Sequence, residues 1–169
     1  MTAREVPPAR VGRTRLALAA TAALLAATDL VLKAWAGRGL ADGASVDLGL
    51  IQLRLAFNSG VAFSLGDDLP GWVVIAVTAM ITAGLAVVVW RSARTAPLPA
   101  VALSVALAGA VANLVDRAAD GVVTDYLHTG WFPTFNLADV YITVGVLAFA
   151  VLNVFGSDHD RVQQPARDD

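Results

Sequence analysis

Two aspartates in the second half of the chain have residue types and positions that could support acid–base chemistry. Asp125 lies in the strand-like stretch Val122–Tyr126, and Asp139 begins the last long apolar stretch, 14 residues later (139 minus 125). Two carboxyl groups held close together cannot both ionise cheaply, so they share one proton. One carboxyl could then act as a base toward water and the other as an acid, which would permit peptide hydrolysis without cysteine, serine or a metal. The alternative is structural: Asp139 would be a helix N-cap, and Asp125 a surface charge.

Two further groups of polar residues lie near the ends of other apolar stretches. Asp29 and Lys33 are four residues apart and therefore share one helical face. They could form an internal ion pair or contact a substrate directly. Asn113, Asp116 and Arg117 also share a face. This second group could end a helix and pair with neighbouring strands, or form a polar collar that orders adjacent groups or holds a polar part of a substrate. Ionisable groups are costly inside a bilayer, so each one is a functional hypothesis.

The composition excludes most other kinds of chemistry. Hydrophobic residues make up 57% of the 169 residues and charged residues 15%, against about 45–50% and about 25% in soluble domains. Such a chain cannot cover a water-facing surface, which indicates a membrane protein. The absence of cysteine excludes disulfides, thiol nucleophiles and iron–sulfur centres, and two histidines are too few for a histidine-built metal site. We therefore expect no metal and no cofactor. A net charge of −2 without a basic run argues against nucleic-acid binding.

Four apolar stretches are each close to the ~20 residues that cross a ~30 Å hydrocarbon layer. They cover residues 16–35, 71–90, 98–115 and 139–155. The first could be a secretory signal peptide, but three more stretches follow it and it contains an Asp/Lys pair. We predict an all-α membrane protein with four transmembrane helices. Its expected parts are an N-terminal cytoplasmic tail at 1–15, a membrane domain at 16–156 and a disordered cytoplasmic tail at 157–169.

Arginine positions predict the orientation. Four arginines precede the first apolar stretch, and Arg91 and Arg94 lie between the second and third stretches. Cytoplasmic loops are enriched in such residues, so both termini should be cytoplasmic and segments 36–69 and 117–138 should face outward. Residues 51–58 alternate apolar and polar side chains, as a half-buried strand does. A turn at 58–60, a second run at 61–65 and a further strand within 121–129 would complete a small outward-facing β-hairpin or sheet.

These motifs together resemble the lipoprotein signal peptidases, or signal peptidase II, of bacteria, from about residue 13 to residue 156. The matching stretches occur in the family's order, and they are Asp29-x-x-x-Lys33, Asn58-Ser-Gly60-Val-Ala-Phe-Ser64, Asn113-Leu-Val-Asp116-Arg117, Gly121-Val-Val-Thr-Asp125-Tyr and Phe135-Asn136-Leu-Ala138-Asp139-Val-Tyr-Ile142.

The resemblance implies an aspartic endopeptidase of the cytoplasmic membrane that cuts diacylglyceryl-modified prolipoproteins just before the lipidated cysteine. It implies Asp125 and Asp139 as the catalytic pair. The residues that it implies for substrate binding or active-site support are Asn58, Gly60, Asn113, Asp116, Arg117, Asn136, Asp29 and Lys33. The implied partners are prolipoprotein substrates and membrane lipids, with the active site toward the outer face. The absence of a glycine-rich dimer face favours a monomer.

Three departures from the family pattern and two rival functions accompany this interpretation. Ala112 stands where the family has a glycine before the asparagine that corresponds to Asn113. Tyr126 stands where phenylalanine is common, and the loop between the two aspartates is short. A small proton- or ion-coupled carrier could use Asp29, Lys33 and Asp116 as a relay. An inert membrane scaffold of the same fold is the second rival.

Overall fold

A computed structural model describes residues 8–60 and 70–162. The elements are, in chain order, α1 (Pro8–Gly39), a short 3-10 turn (Ala41–Gly43), β1 (Ser45–Asp47), β2 (Gln52–Asn58), α2 (Gly71–Ser92), α3 (Pro97–Asp120), β3 (Val123–His128) and α4 (Leu137–Val162). Each long helix contains a segment long and apolar enough to cross a membrane, and these segments are Ala9–Gly39, Gly71–Ser92, Pro97–Asp120 and Leu137–Val154. The predicted fold class, four candidate membrane-spanning helices with a small sheet, is confirmed.

The first and last helices extend beyond the predicted membrane domain. Helix α1 begins at Pro8, inside the segment expected to be a tail. Proline is tolerated in a first turn because its missing N–H has no intrahelical partner there, and the arginines that follow are good helix formers. Helix α4 continues past Gly156 to Val162, into the segment expected to be disordered. A single glycine costs a helix only about 1 kcal/mol and does not end it. Residues 1–7 and 163–169 lie outside the described residues.

Helix α3 is the centre of the bundle, since it packs against α1, α2 and α4. Its buried face consists largely of alanine, which lets helix backbones approach closely. At Gly109 of α3 an added Cβ would collide with the backbone oxygen of Ala138, and at Gly145 of α4 it would lie 2.6 Å from the Ala102 oxygen. Ala112, which stands where the resemblance predicts a glycine, is fully buried and packs in the same apolar cluster as Ala138. Close α3–α4 packing therefore fixes the start of α4 against α3.

The sheet lies at the bundle end where α1 and α3 finish and α4 begins. It is antiparallel with the order β1-β2-β3. Strand β2 coincides with the predicted alternating segment, and in its pairing with β3 Ala56 lies opposite Asp125. The predicted second hairpin run, 61–65, lies outside the described residues, and the described partners of β2 are β1 and β3. A bridge between Leu127 and Phe135 folds the loop after β3 back on itself, which brings the beginning of α4 beside Asp125.

Replacing Gly145 by alanine tests the close α3–α4 contact. The new Cβ would lie 2.6 Å from the Ala106 nitrogen, so the helices would have to separate. We expect G145A to lower the free energy of unfolding by about 1–3 kcal/mol, measured by denaturant unfolding in detergent micelles. The matched control is G84A on α2, where an added Cβ meets nothing within 4 Å. Alanine favours a helix, so G84A should be neutral or stabilising. Equal losses in both variants would contradict the packing described.

Candidate active site

Helix α4 begins with a reciprocal cap formed by Asn136 and Asp139. The Asn136 Oδ1 accepts the Asp139 backbone N–H at 3.0 Å, and the Asp139 Oδ2 accepts the Asn136 backbone N–H at 3.1 Å. This is the geometry of a capping box, which satisfies two N–H groups that would otherwise lack partners. Asn136 is thus the N-cap residue, and Asp139 is the third residue of the helix rather than its N-cap. The helix start also fixes where the Asp139 carboxyl group lies.

Asn136 contacts the second aspartate as well. Its Nδ2 donates a hydrogen bond of 2.7 Å to the Oδ1 of Asp125. Asp125 is only 3% exposed in the middle of β3, so the alternative that it is a surface charge is wrong. Asn136 therefore contacts both carboxyl groups: its side-chain nitrogen donates to Asp125, and its backbone N–H donates to the Asp139 carboxylate. The structure brings together the two aspartates that the sequence singled out.

Burial raises the pKa of Asp125 to about 6, and the nearby charge of Asp139 contributes in the same direction. Hydrogen bonds from Asn136 and Asn58, together with the Lys33 charge, oppose this rise. A carboxyl group with a pKa near neutrality can hold or release a proton under working conditions, which is the property that general acid–base chemistry requires.

Lys33 is the cation at the centre of the polar cluster. Its Nζ lies 2.6 Å from the Oδ1 of Asn113, 3.0 Å from the Oδ2 of Asp29 and 3.4 Å from the Oδ2 of Asp116. The predicted Asp29–Lys33 ion pair is present, and it is buried within the bundle. Asn113 in turn donates from Nδ2 to the Oδ1 of Asp139 at 2.9 Å. A continuous path of polar contacts thus runs from Lys33 through Asn113 to Asp139.

The buried carboxylates of Asp29 and Asp116 anchor the two segments that carry the aspartate pair. Asp29 Oδ1 accepts the backbone N–H of Ala138 at 2.9 Å, so a negative charge lies at the N-terminus of α4, where it is favourable. Asp116 Oδ2 accepts the backbone N–H of Thr124 at 2.7 Å and so ties β3 to α3. Asp29 and Asp116 therefore bind the backbone N–H of the residue just before Asp139 and of the residue just before Asp125, and in this way they position the aspartate pair.

Tyr126, which stands where the resemblance predicts a phenylalanine, adds a further link. Its hydroxyl lies 3.4 Å from the Oδ1 of Asp29 and accepts the Leu137 N–H at 3.3 Å. Burial and the Asp29 charge raise the pKa of Tyr126, which keeps the phenol protonated. The hydroxyl can therefore donate to Asp29 while it accepts from the first residue of α4.

Asn58, Gly60 and Arg117 lie on the side of the site where β2 ends. Asn58 Oδ1 accepts the Gly60 N–H at 2.8 Å, which closes a tight turn. Gly60 has a φ of 91°, and an added Cβ would lie 2.7 Å from Arg117 Nη2, so a side chain is excluded there. Arg117 is buried and interacts through its charge with Asp116, Asp125 and Asp139. Its Nε donates no hydrogen bond within residues 8–60 and 70–162.

An apolar groove of about 640 Å³ opens directly beside Asp139. One wall is the loop between the two aspartates, and the opposite wall is α4. The residues that line it are Asn58, Thr129, Trp131, Phe132, Pro133, Thr134, Phe135, Asp139, Val140, Thr143 and Val144. Trp131 was not among the site residues predicted from the sequence, because a tryptophan in an outward loop is typical of the membrane interface. The concentration of three aromatic residues within 131–135, between the two aspartates, was the signal that could have revealed this wall.

Among the described residues, no group of three or more acidic or histidine side chains is arranged to hold a metal ion.

Replacing Asp125 by asparagine tests the raised pKa of this carboxyl group. Its pKa is about 6 in the folded protein against 3.8 ordinarily, so the folded state binds the proton more tightly and ionisation removes stability as the pH rises through that interval. We expect D125N to raise the melting temperature relative to the parent protein at about pH 7.5, and to change it much less near pH 4. A difference that does not depend on pH would contradict the raised pKa.

Replacing Lys33 by methionine tests the buried ion cluster. Methionine leaves the carboxylates of Asp29 and Asp116 buried without their cation, and removing one partner of a buried pair costs about 3–5 kcal/mol. We expect K33M to lose stability in that range in denaturant unfolding. The double variant D29N/K33M removes one stranded charge while keeping an oxygen for Ala138, so it should be more stable than K33M alone. If D29N/K33M lost as much stability as D29N and K33M lose separately when added together, direct coupling between Asp29 and Lys33 would be contradicted.

Comparison with known proteins identifies the family. The family model Peptidase_A8, described as Signal peptidase (SPase) II, matches residues 21–155. A lipoprotein signal peptidase of Mycobacterium avium (strain 104) is 34% identical over 170 residues, which cover 95% of this chain and 91% of the relative. A lipoprotein signal peptidase of Ectopseudomonas mendocina (strain ymp) is 42% identical over 118 residues, which cover 65% of this chain and 69% of the relative.

Solved structures agree with this result. A bacterial membrane enzyme determined by the in meso method at 1.9 Å resolution is similar with a TM-score of 0.69 and 26% identity, over 82% of this chain and 90% of the other. A second such enzyme, at 2.3 Å resolution, has a TM-score of 0.67 over 99% of this chain and 100% of the other, and its 20% identity supports the fold alone. The resemblance predicted from the motifs is confirmed: the chain belongs to the signal peptidase II family of membrane aspartic peptidases.

Proposed function

We propose that this protein is an aspartic endopeptidase that removes signal peptides from diacylglyceryl-modified prolipoproteins, cutting before the lipidated cysteine. Family membership supports the activity and the substrate class. The observation that carries the proposal is the buried Asn136 side chain, which contacts both Asp125 and the helix turn of Asp139. The carrier alternative has no support in the family to which the chain belongs.

The proposed mechanism uses the two aspartates as a pair that holds one proton. The ionised carboxyl takes a proton from water, and this water attacks the carbonyl carbon of the scissile peptide bond. The protonated carboxyl donates its proton to the carbonyl oxygen, giving a tetrahedral intermediate. Collapse of that intermediate breaks the C–N bond and transfers a proton to the nitrogen of the cysteine. The elevated pKa of Asp125 favours a shared proton.

The supporting residues keep this pair in a fixed orientation. Asn136 and Asn113 each donate a side-chain hydrogen bond to one of the carboxyl groups. Lys33 holds the Asn113 side chain in place from its other end. Arg117 supplies a positive charge close to the pair. Because each neighbour is itself buried or hydrogen-bonded, the carboxyl groups need little rearrangement when the reaction begins.

The apolar groove beside Asp139 is the proposed site for the substrate near its cleavage point. Its walls are mainly apolar, and α4 carries exposed apolar residues beyond it, including Leu147, Val151 and Val154. A hydrophobic signal helix could therefore reach the groove sideways from the lipid while its acyl chains stay in the bilayer. An apolar groove of limited size selects small side chains by shape rather than by charge.

The proposed location is the cytoplasmic membrane, with several crossings and the active site toward the outer face. Arginines concentrate before and in the first turns of α1 and in the link between α2 and α3, so this end of the bundle is expected to face the cytoplasm, as are both termini. The sheet and the aspartate pair lie at the opposite end. We propose a monomer as the working unit, with membrane lipids around the bundle.

Cleavage by asparagine variants tests the assignment of the pair. Purified D125N and D139N should each cleave a diacylglyceryl prolipoprotein at least about 10³-fold more slowly than the parent protein, because each loses a proton-transfer group. The readout is the mobility shift of the processed protein on a gel. The matched control is D120N, at an exposed aspartate at the end of α3, which should cleave at the parent rate.

Two outcomes would overturn this proposal. Full turnover by D125N or D139N, with folding verified by circular dichroism, would remove the aspartate pair from the mechanism. No cleavage by the parent protein would favour an inert scaffold.

A further inference from the structure

Three arginines surround a cavity at the bundle end opposite the aspartate pair. The cavity has a volume of about 560 Å³ and is lined by Arg15, Trp90, Arg91, Ser92, Arg94 and Thr95. It lies where α1 begins and where α2 ends and turns toward α3. The cluster belongs neither to the proposed reaction nor to the substrate groove, and the orientation of the helices in the membrane does not require three arginines to line one cavity.

No acidic side chain that the structure describes forms an ion pair with these arginines. Residues 8–28 and 70–115, which form this half of α1 and nearly all of α2 and α3, contain no Asp or Glu. The ion pairs found among the described side chains all involve Lys33, and Arg15 and Arg94 repel one another. A pocket with three like charges attracts an anion from its surroundings.

Arg15 is held in place without an anion. Its Nε and Nη2 donate to the backbone oxygen of Trp90 at 3.3 and 3.1 Å, and its Cζ lies 4.0 Å from the centroid of the Trp90 ring. A cation over an aromatic face and two hydrogen bonds fix the plane of the guanidinium. An oriented guanidinium matches the oxygens of a phosphate group better than a flexible ammonium does.

An apolar crevice adjoins this polar cavity. Its volume is about 210 Å³, and Arg15 and Trp90 line both spaces. The other lining residues of the crevice are Leu18, Ala19, Ala86, Val89, Ala93 and Leu107. Helices α1 and α2 each pack against α3, and the crevice lies between them with Leu107 of α3 in its wall. A charged cavity that continues into an apolar crevice suits an amphiphilic ligand.

We propose that this end of the bundle binds one anionic phospholipid, whose phosphate contacts Arg15, Arg91 and Arg94 and whose acyl chain lies in the crevice between α1 and α2. Basic pockets between membrane helices have the charge to bind anionic headgroups. The bound lipid would fill the space between α1 and α2 and hold these helices together. This inference does not depend on the peptidase activity.

Competition between two lipids in one sample tests the headgroup contact. Purified protein in detergent receives equal amounts of phosphatidylglycerol and phosphatidylcholine with identical chains, and native mass spectrometry counts the lipids retained. We expect one phosphatidylglycerol per protein, preferred about 10-fold or more, and loss of that preference in R91Q/R94Q. Both arginines are exposed, so the variant should fold. The control R38Q/R54Q removes two charges at the other end and should keep the preference.

A second variant tests the acyl chain without changing any charge. Ala19 is exposed but lines the crevice, so A19W should fold while filling it, and retention of phosphatidylglycerol should fall. Glycerol 3-phosphate, which has the headgroup chemistry without a chain, should not raise the melting temperature of the parent protein. Equal retention of both lipids by the parent protein would overturn the proposal, as would a loss of the phosphatidylglycerol preference in R38Q/R54Q equal to that in R91Q/R94Q. Full retention of phosphatidylglycerol by A19W, or a rise in the melting temperature of the parent protein with glycerol 3-phosphate, would also overturn it.

Discussion

The Asn136 side chain caps helix α4 and binds Asp125 at the same time. Its oxygen begins α4 by accepting the Asp139 N–H, and its nitrogen donates to Asp125 in β3. The relative position of the two carboxyl groups therefore depends on the start of a membrane helix. Asn136 cannot rotate away from Asp125 without losing the cap, and the cap stabilises a helix whose N–H groups have no water to bind in a bilayer.

Lys33 makes this arrangement possible energetically. The buried carboxyl groups of Asp29, Asp116 and Asp125 lie close to the half-buried Asp139, and these groups would repel one another strongly without a cation among them. Lys33 contacts Asp29 and Asp116 directly and reaches Asp139 through Asn113. The two carboxylates beside Lys33 also accept N–H groups of α4 and β3. The same contacts that lower the cost of burying charge thus determine where Asp125 and Asp139 lie.

The sequence was sufficient to predict most of the helices and strands, but not the contacts between them. Four apolar runs of membrane-spanning length gave the helices, and strict alternation gave β2. Strand β1 has three exposed residues and no pattern that could predict it. The alternative that made Asp139 the N-cap missed the capping box, although Asn136 and Asp139 have its three-residue spacing. By contrast, Asp29 accepts an N–H from a residue 109 positions away, and spacing carries no information about such a contact because tertiary packing creates it.

Site-resolved titration of Asp125 in the parent protein and in D139N tests the central claim most directly. The claim is that the Asp139 carboxyl group lies close enough to Asp125 for its charge to raise the pKa of Asp125. Carbon-13 NMR of labelled aspartate side chains should give a pKa of about 6 for Asp125 in the parent protein, and a lower pKa once the Asp139 charge is removed. An Asp125 pKa near 4 in both proteins, or an elevated value that D139N leaves unchanged, would contradict the coupled pair.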